Sequence, residues 1–97
     1  MMSLKDFFDF DGLVNEAERL VVDELERQLA DATGICRCKD CVLDMAALAL
    51  NNVHPSYRVS LLGGVYARSG TPSEYAQEIT RAVRQAIEKV SANPSHD

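Results

Sequence analysis

Cys36-Arg37-Cys38-Lys39-Asp40-Cys41, followed without a break by Val42-Leu43-Asp44-Met45-Ala46-Ala47-Leu48-Ala49-Leu50-Asn51, says most about how this chain folds. All three cysteines of the chain fall within these first six residues. Clustering of that kind reads as a metal or redox site rather than a scatter of core thiols. The apolar run behind it reads as a helix from about 40 to 52, with Asp40 as N-cap. It is apolar on nearly every side, which predicts the central and most buried element of the protein. The sulfur cluster is therefore expected on the first turn of a buried helix, with Asp44 one turn further on amid apolar neighbours.

Two amphipathic segments flank this hub. Leu13, Val14, Ala17, Leu20, Val21, Leu25 and Leu29 recur at three- and four-residue steps and predict a helix over about 12–31. Asp11 is its expected N-cap, and Gly34 supplies a C-terminal cap. The closing segment is marked more sharply. Thr71 can cap it, Pro72 suits the first position and Glu74 completes a capping box. Ala76, Ile79, Val83, Ala86 and Val90 then form a narrow seam, with Ala82 and Ile87 alongside, until Asn93-Pro94 stops the helix. Between hub and closing helix the chain turns at Val53-His54-Pro55-Ser56. Tyr57–Leu62 reads as extended, and Val65-Tyr66-Ala67 can pair back across Gly63-Gly64 as a small hairpin. Residues 1–10 alternate aromatics and acids and form an N-terminal arm; 94–97 form a frayed tail. The expected fold class is mostly α: a small helical domain over 1–97, with a central buried helix, two flanking amphipathic helices and one short extended or hairpin segment.

Composition narrows the function. The 97 residues carry a net charge of −5 and 46% hydrophobic residues. Phosphate-backbone affinity comes largely from Lys and Arg, and no long basic run exists, so direct nucleic-acid binding is not expected. No segment reaches the roughly 18 apolar residues that span a bilayer, and the acidic start is unlike a signal peptide. A cytoplasmic protein is expected, where thiolate ligation is a better use of three close cysteines than a disulfide framework. No Ser/His/Asp order or phosphate-binding loop points to an enzyme. A cysteine nucleophile would need His54 as its base.

One family resemblance is dense over residues 36–60. The C-x-C-x-x-C group Cys36/Cys38/Cys41, then Asp44, then Ala47-Leu48-Ala49-Leu50-Asn51, then His54-Pro55-Ser56-Tyr57-Arg58-Val59-Ser60 resembles the late competence development protein ComFB family in order and spacing. Asn15-Glu16 and the closing helix extend it. The resemblance implies a small, mostly helical, cytoplasmic and usually dimeric protein. Some members of the family bind zinc through cysteines, and others are receptors for cyclic di-GMP or cyclic di-AMP.

On that basis the metal set is Cys36, Cys38 and Cys41, with zinc as cofactor. The fourth ligand is left among His54, Asp40, His96 and a group from a partner chain. The alternatives for the same sulfurs are reduced thiols in a tight turn, or redox work, although no C-x-x-C beside a strand–helix unit is evident. The ligand-binding set is Arg37, Asp44, Asn51, Tyr57 and Arg58. Tyr57 and Arg58 suit base stacking and phosphate or guanine contact; otherwise Tyr57 roofs the core and Arg58 meets an acid on the first helix. Asp44 can accept from a guanine edge, or else from loop amides, Arg37 or Arg58. Asn51 serves as a helix cap, and Arg68, Arg81 and Arg84 are further cations for two phosphates. The leading expectation is a non-enzymatic regulatory binding protein, a homodimer through the closing seam or the first helix, that senses a cyclic dinucleotide and signals to a protein partner. The alternatives are a structural zinc-binding adaptor and a thiol redox protein.

Overall fold

The computed structural model describes residues 2–59 and 72–94. Two short 3-10 turns, Leu4–Asp6 and Phe10–Gly12, open the chain. Strand β1 (Val14–Asn15), helix α1 (Glu16–Asp31), helix α2 (Lys39–Leu50), strand β2 (Tyr57–Arg58) and helix α3 (Pro72–Ala92) come next in order. β1 and β2 pair antiparallel, Val14 opposite Arg58 and Asn15 opposite Tyr57. The mostly helical class expected from periodicity is the class observed. The hairpin across Gly63-Gly64, together with Arg68, Thr71 and His96, lies outside the described residues.

The core is made of one stripe from each helix. Ala17, Val21, Leu25 and Leu29 are buried on α1, and Cys41, Met45 and Ala49 on α2. Both are strict four-residue series, which place side chains one above another on a single face. From the longer α3 come Tyr75, Ile79, Ala82, Val83, Ala86, Ile87 and Val90. α3 faces both other helices, so its seam is used within the chain and is not the open dimer surface the sequence suggests.

The hub expectation needs correction on one side. α2 buries only its Cys41–Met45–Ala49 stripe fully; Leu43, Asp44, Ala47 and Asn51 are exposed, Leu43 at 55%. A three-helix arrangement of this size covers two sides of a helix and leaves the third to solvent. Asp44 is therefore a surface carboxylate and not a buried one. The arm is likewise uncovered, with Phe7 at 63% and Phe8 at 61% exposure. Its two turns contribute no buried residue.

α1 starts later than its apolar rhythm suggests, because Val14 and Asn15 are drawn into the ribbon. Asn15, not Asp11, is the N-cap: its Oδ1 accepts from the Ala17 amide at 3.2 Å and from the Ser56 amide at 2.9 Å. The Glu16 amide donates to the Ser56 carbonyl at 2.7 Å, so the start of α1 and the segment after α2 are laced together. Glu16 is only 8% exposed. Its carboxylate accepts from Arg19 Nε at 2.7 Å and from Arg58 Nε at 2.8 Å. The hydrogen bonds from Arg19, and then those from Arg58, hold the Glu16 carboxyl below the usual carboxylate range. Ser56 is buried beside this node, and its Oγ has no partner among the described residues.

A depressed carboxyl pKa contributes stability that is complete above the unfolded value and is lost as pH falls through the folded one. The melting temperature should fall on acidification below about pH 5, and Glu16→Gln should lower it at pH 7 by the equivalent of about 1–3 kcal/mol while flattening its acid limb. Thermal unfolding of both proteins between pH 3 and 7 checks this; parallel acid limbs would show that Glu16 is not the group responsible.

Candidate metal centre

The cysteines sit in the seven-residue passage between α1 and α2 and at the start of α2 itself, and local chemistry fixes both ends of that passage. At the first end, α1 leaves carbonyls without helical partners. Ala32 closes the helix with its amide on the Leu29 carbonyl at 3.2 Å. Gly34 then turns the chain at φ 72°, a left-handed conformation that disfavours a β-carbon even where space is open. The Arg37 guanidinium reaches back over this turn. It donates to the carbonyls of Leu29, Ala32 at 2.7 Å and Ile35 at 3.1 Å. A cation at a helix C-terminus also meets the negative end of the dipole. Arg37, placed by sequence among ligand-binding residues, is thus the clasp of the loop.

At the second end Cys38, not Asp40, is the N-cap of α2. Its backbone is extended (φ −70°, ψ 163°), its carbonyl accepts from the Val42 amide at 3.0 Å, and its Sγ accepts from the Cys41 amide at 3.4 Å. Asp40 is left as an acid in the first turn, where the dipole favours it. Cys41 is in register with Met45 and Ala49, and so the third sulfur enters the core as the first rung of the buried stripe. Cys36 is half-buried, Cys38 exposed and Cys41 buried. The three Sγ atoms lie within 4.8 Å of one another. Cys36 and Cys41, but not Cys38, also line a cavity of about 140 Å³ together with Ile35, Met45, Val90 and Pro94 among others.

The thiols differ electrostatically. The Cys41 amide bond to Cys38 Sγ holds the Cys38 thiol below its ordinary value. Burial, and then the neighbouring sulfurs, push Cys41 up to about 12. A divalent cation at the centre of the three sulfurs would offset the burial penalty on the Cys41 thiolate.

The remaining candidates do not converge on one point. Asp44 and Asn51 share the exposed face of α2, two turns apart. Asn51 is the C-cap, its amide on the Ala47 carbonyl at 3.0 Å, as its position at the helix end suggests. Tyr57 and Arg58 lie beyond α2, whereas Arg37 precedes it, and twelve helical residues separate the two ends by about 18 Å. Arg58 meets an acid of the first helix, Glu16, one of the two roles its sequence allows. The same span keeps His54 from the sulfurs. Its amide and Nδ1 bond to Glu78, both at 2.8 Å, and its carbonyl accepts from the Tyr75 hydroxyl at 2.7 Å. His54 is therefore neither the fourth ligand within this chain nor a base for a cysteine. In the Asn15–Glu16–Arg58 node the sequence foreshadows Arg58 on an acid of α1, but neither the identity of that acid nor Asn15 as the cap. The node's only signal is a helix-capping Asn beside a Glu at the start of α1, with an Arg far along the chain.

The family model for the late competence development protein ComFB matches residues 14–94. This chain belongs to the ComFB family. The match begins at β1 and runs through the cysteine loop to the end of α3, leaving the aromatic arm outside. Among solved structures, the late competence protein ComFB from Bacillus subtilis is similar at 27% identity and a TM-score of 0.64, over 86% of this chain and 94% of that one. A search of curated proteins finds no match.

The donor set fits the zinc that the family resemblance implies. Zn–S bonds of about 2.3 Å in a tetrahedron place ligand sulfurs about 3.8 Å apart, a small contraction of the arrangement in this ComFB-family chain. Three protein ligands leave one coordination position for water or a partner group.

For the metal-free, reduced protein two outcomes are expected. Iodoacetamide should modify Cys38 first and Cys41 last, read by mass spectrometry of tryptic peptides; early labelling of Cys41 would contradict the burial described. Arg37→Ala should cost about 1–3 kcal/mol in urea unfolding, because it strips donors from carbonyls at the end of α1.

Proposed function

We propose that this ComFB-family chain is a non-catalytic regulatory binding protein in which the Cys36, Cys38 and Cys41 thiolates hold one zinc ion that staples the loop to α2. The observation that carries the reading is the convergence of three sulfurs within 4.8 Å on a helix N-terminus. Arg37 and Lys39 offset part of the anionic charge. On this reading the metal secures a platform for a protein partner, and the chain works in the cytoplasm. Among the described residues no helix is long and apolar enough to cross a membrane.

A cyclic dinucleotide ligand is the second reading. It is supported by the Tyr57 ring, 53% exposed and able to stack on a base. Arg81 and Arg84 lie on the exposed face of α3 and form no ion pair among the described residues. A depression of about 350 Å³ between α1 and α3 has apolar walls from Leu20, Tyr75 and Ile79, but Asp23 and Glu24 also line it and Arg27 is paired with Glu24, so it adds little for an anionic ligand. Arg58, committed to Glu16, contributes less to this reading than its residue type suggests. A homodimer belongs to the proposal too, formed through surfaces this chain leaves apolar: the Phe7/Phe8/Phe10 arm or the Leu43 face of α2.

Elemental analysis of protein purified without metal and then supplemented should give one zinc per chain after supplementation; none in either sample rejects the metal reading. A ligand at one hundred times its Kd adds about 2.7 kcal/mol to stability, enough to raise the melting temperature of a domain this size by roughly 10 °C or more. If cyclic di-GMP or cyclic di-AMP produces that rise and Tyr57→Ala abolishes it, the receptor reading holds. A rise with zinc alone leaves the adaptor.

A further inference from the structure

We propose that Cys38 and Cys41 are a reversible disulfide-forming pair, closed by exchange with small disulfides (RSSR) and reopened by small thiols (2 RSH) in the reverse exchange, and that Cys36 is the thiol left over. The sequence does not favour redox chemistry, because no strand precedes the C-x-x-C. The structure supplies what matters locally. Cys38 is the N-cap of a twelve-residue α-helix and Cys41 is its third residue, joined by the bond from the Cys41 amide to Cys38 Sγ at 3.4 Å. Residues three apart at a helix start lie on one face. Their sulfurs are already within 4.8 Å, and a bond of about 2.05 Å needs side-chain rotation and a small shift of a cap residue that is outside the helix.

Accessibility divides the two roles. Cys38 is exposed, so it meets a reagent from solution; Cys41 is buried directly beneath it and can reach nothing but its neighbours. This is the arrangement of an attacking sulfur with a resolving partner. The Cys38 thiolate attacks one sulfur of a disulfide RSSR, forming a Cys38–SR mixed disulfide and expelling RS⁻. Cys41, having given up its proton, attacks Cys38 Sγ and expels the second RS⁻. The protein loses two electrons and two protons, and RSSR becomes two RSH. The reaction takes two sulfurs from the candidate metal set, so the closed form and the metal-holding form exclude one another.

The test uses the full chain, reduced and metal-free, so its outcome is independent of whether zinc binds. The protein is exposed to oxidised glutathione, blocked with iodoacetamide and digested with trypsin. Cleavage after Arg37 and Lys39 puts Cys36, Cys38 and Cys41 on three separate peptides. The expected product is the Cys38-Lys39 dipeptide joined to Asp40–Arg58, with alkylation retained at Cys36 and lost at the other two. Cys36→Ser should leave that product unchanged, and Cys41→Ser should trap glutathione on Cys38. Overturning results are a dominant Cys36–Cys38 or Cys36–Cys41 link, a statistical mixture of pairings as in an unfolded chain, or alkylation of all three thiols as in the untreated sample.

Discussion

The Arg37 guanidinium on the last carbonyls of α1 is the contact on which the arrangement of this protein depends. A helix end has carbonyls with no helical partner, and the chain must also reverse there to bring α2 alongside. One side chain serves both needs: it satisfies Leu29, Ala32 and Ile35 and holds the Gly34 turn in place. Helix geometry determines the rest of the site. Cys38 caps α2, Cys41 falls on its buried stripe, and Cys36 is left where the clasped loop crosses above. Three sulfurs meet because two helix ends are closed a few residues apart.

The opposite end of α2 is held by a different kind of interaction. There Asn15 and Glu16 at the start of α1 bind the Ser56 backbone and the Arg58 guanidinium. Glu16 is nearly buried, and a carboxylate in that position is tolerated only with partners. Arg19 and Arg58 supply them, and the same contacts shift its titration. α2 is thus pinned at its N-terminus by loop hydrogen bonds and at its C-terminus by an ion-paired ribbon. The cysteine site and the Tyr57 region are separate, and nothing requires one ligand to touch both.

Much of this is legible in the residues. The stripes of α1 and α3 can be read from sequence because apolar periodicity reports burial directly, and the stop at Asn93-Pro94 is a backbone effect. The cysteine cluster is legible because three thiols in six residues have few other uses. Less legible are choices between neighbours that compete for one role. Asp40 and Cys38 can both cap α2, and Cys38 takes the position with its Sγ accepting from the Cys41 amide and its carbonyl from the Val42 amide. Asp11 loses to Asn15 because β1 pairs with a strand more than forty residues away, which no local rule contains. Asp44 has apolar neighbours in sequence and so suggests burial, yet among the described residues α2 packs against two helices and its third face is exposed. Arg37 and Arg58 both have structural work, as their positions beside the motif suggest. Their partners are backbone carbonyls and a distant glutamate, and residue type alone does not distinguish those from a nucleotide.

On the proposed function, the protein itself gathers the three sulfurs for one cation. Anaerobic titration of the reduced chain with Co²⁺ tests it directly, since thiolate ligation gives intense near-ultraviolet sulfur-to-cobalt absorption and four-coordinate geometry gives visible bands. Ligation by all three sulfurs should give saturation at one cobalt per chain, with the sulfur band reduced by about a third in each of Cys36→Ser, Cys38→Ser and Cys41→Ser. Absence of a sulfur band at any ratio, or a band indifferent to one of the three cysteines, would contradict it.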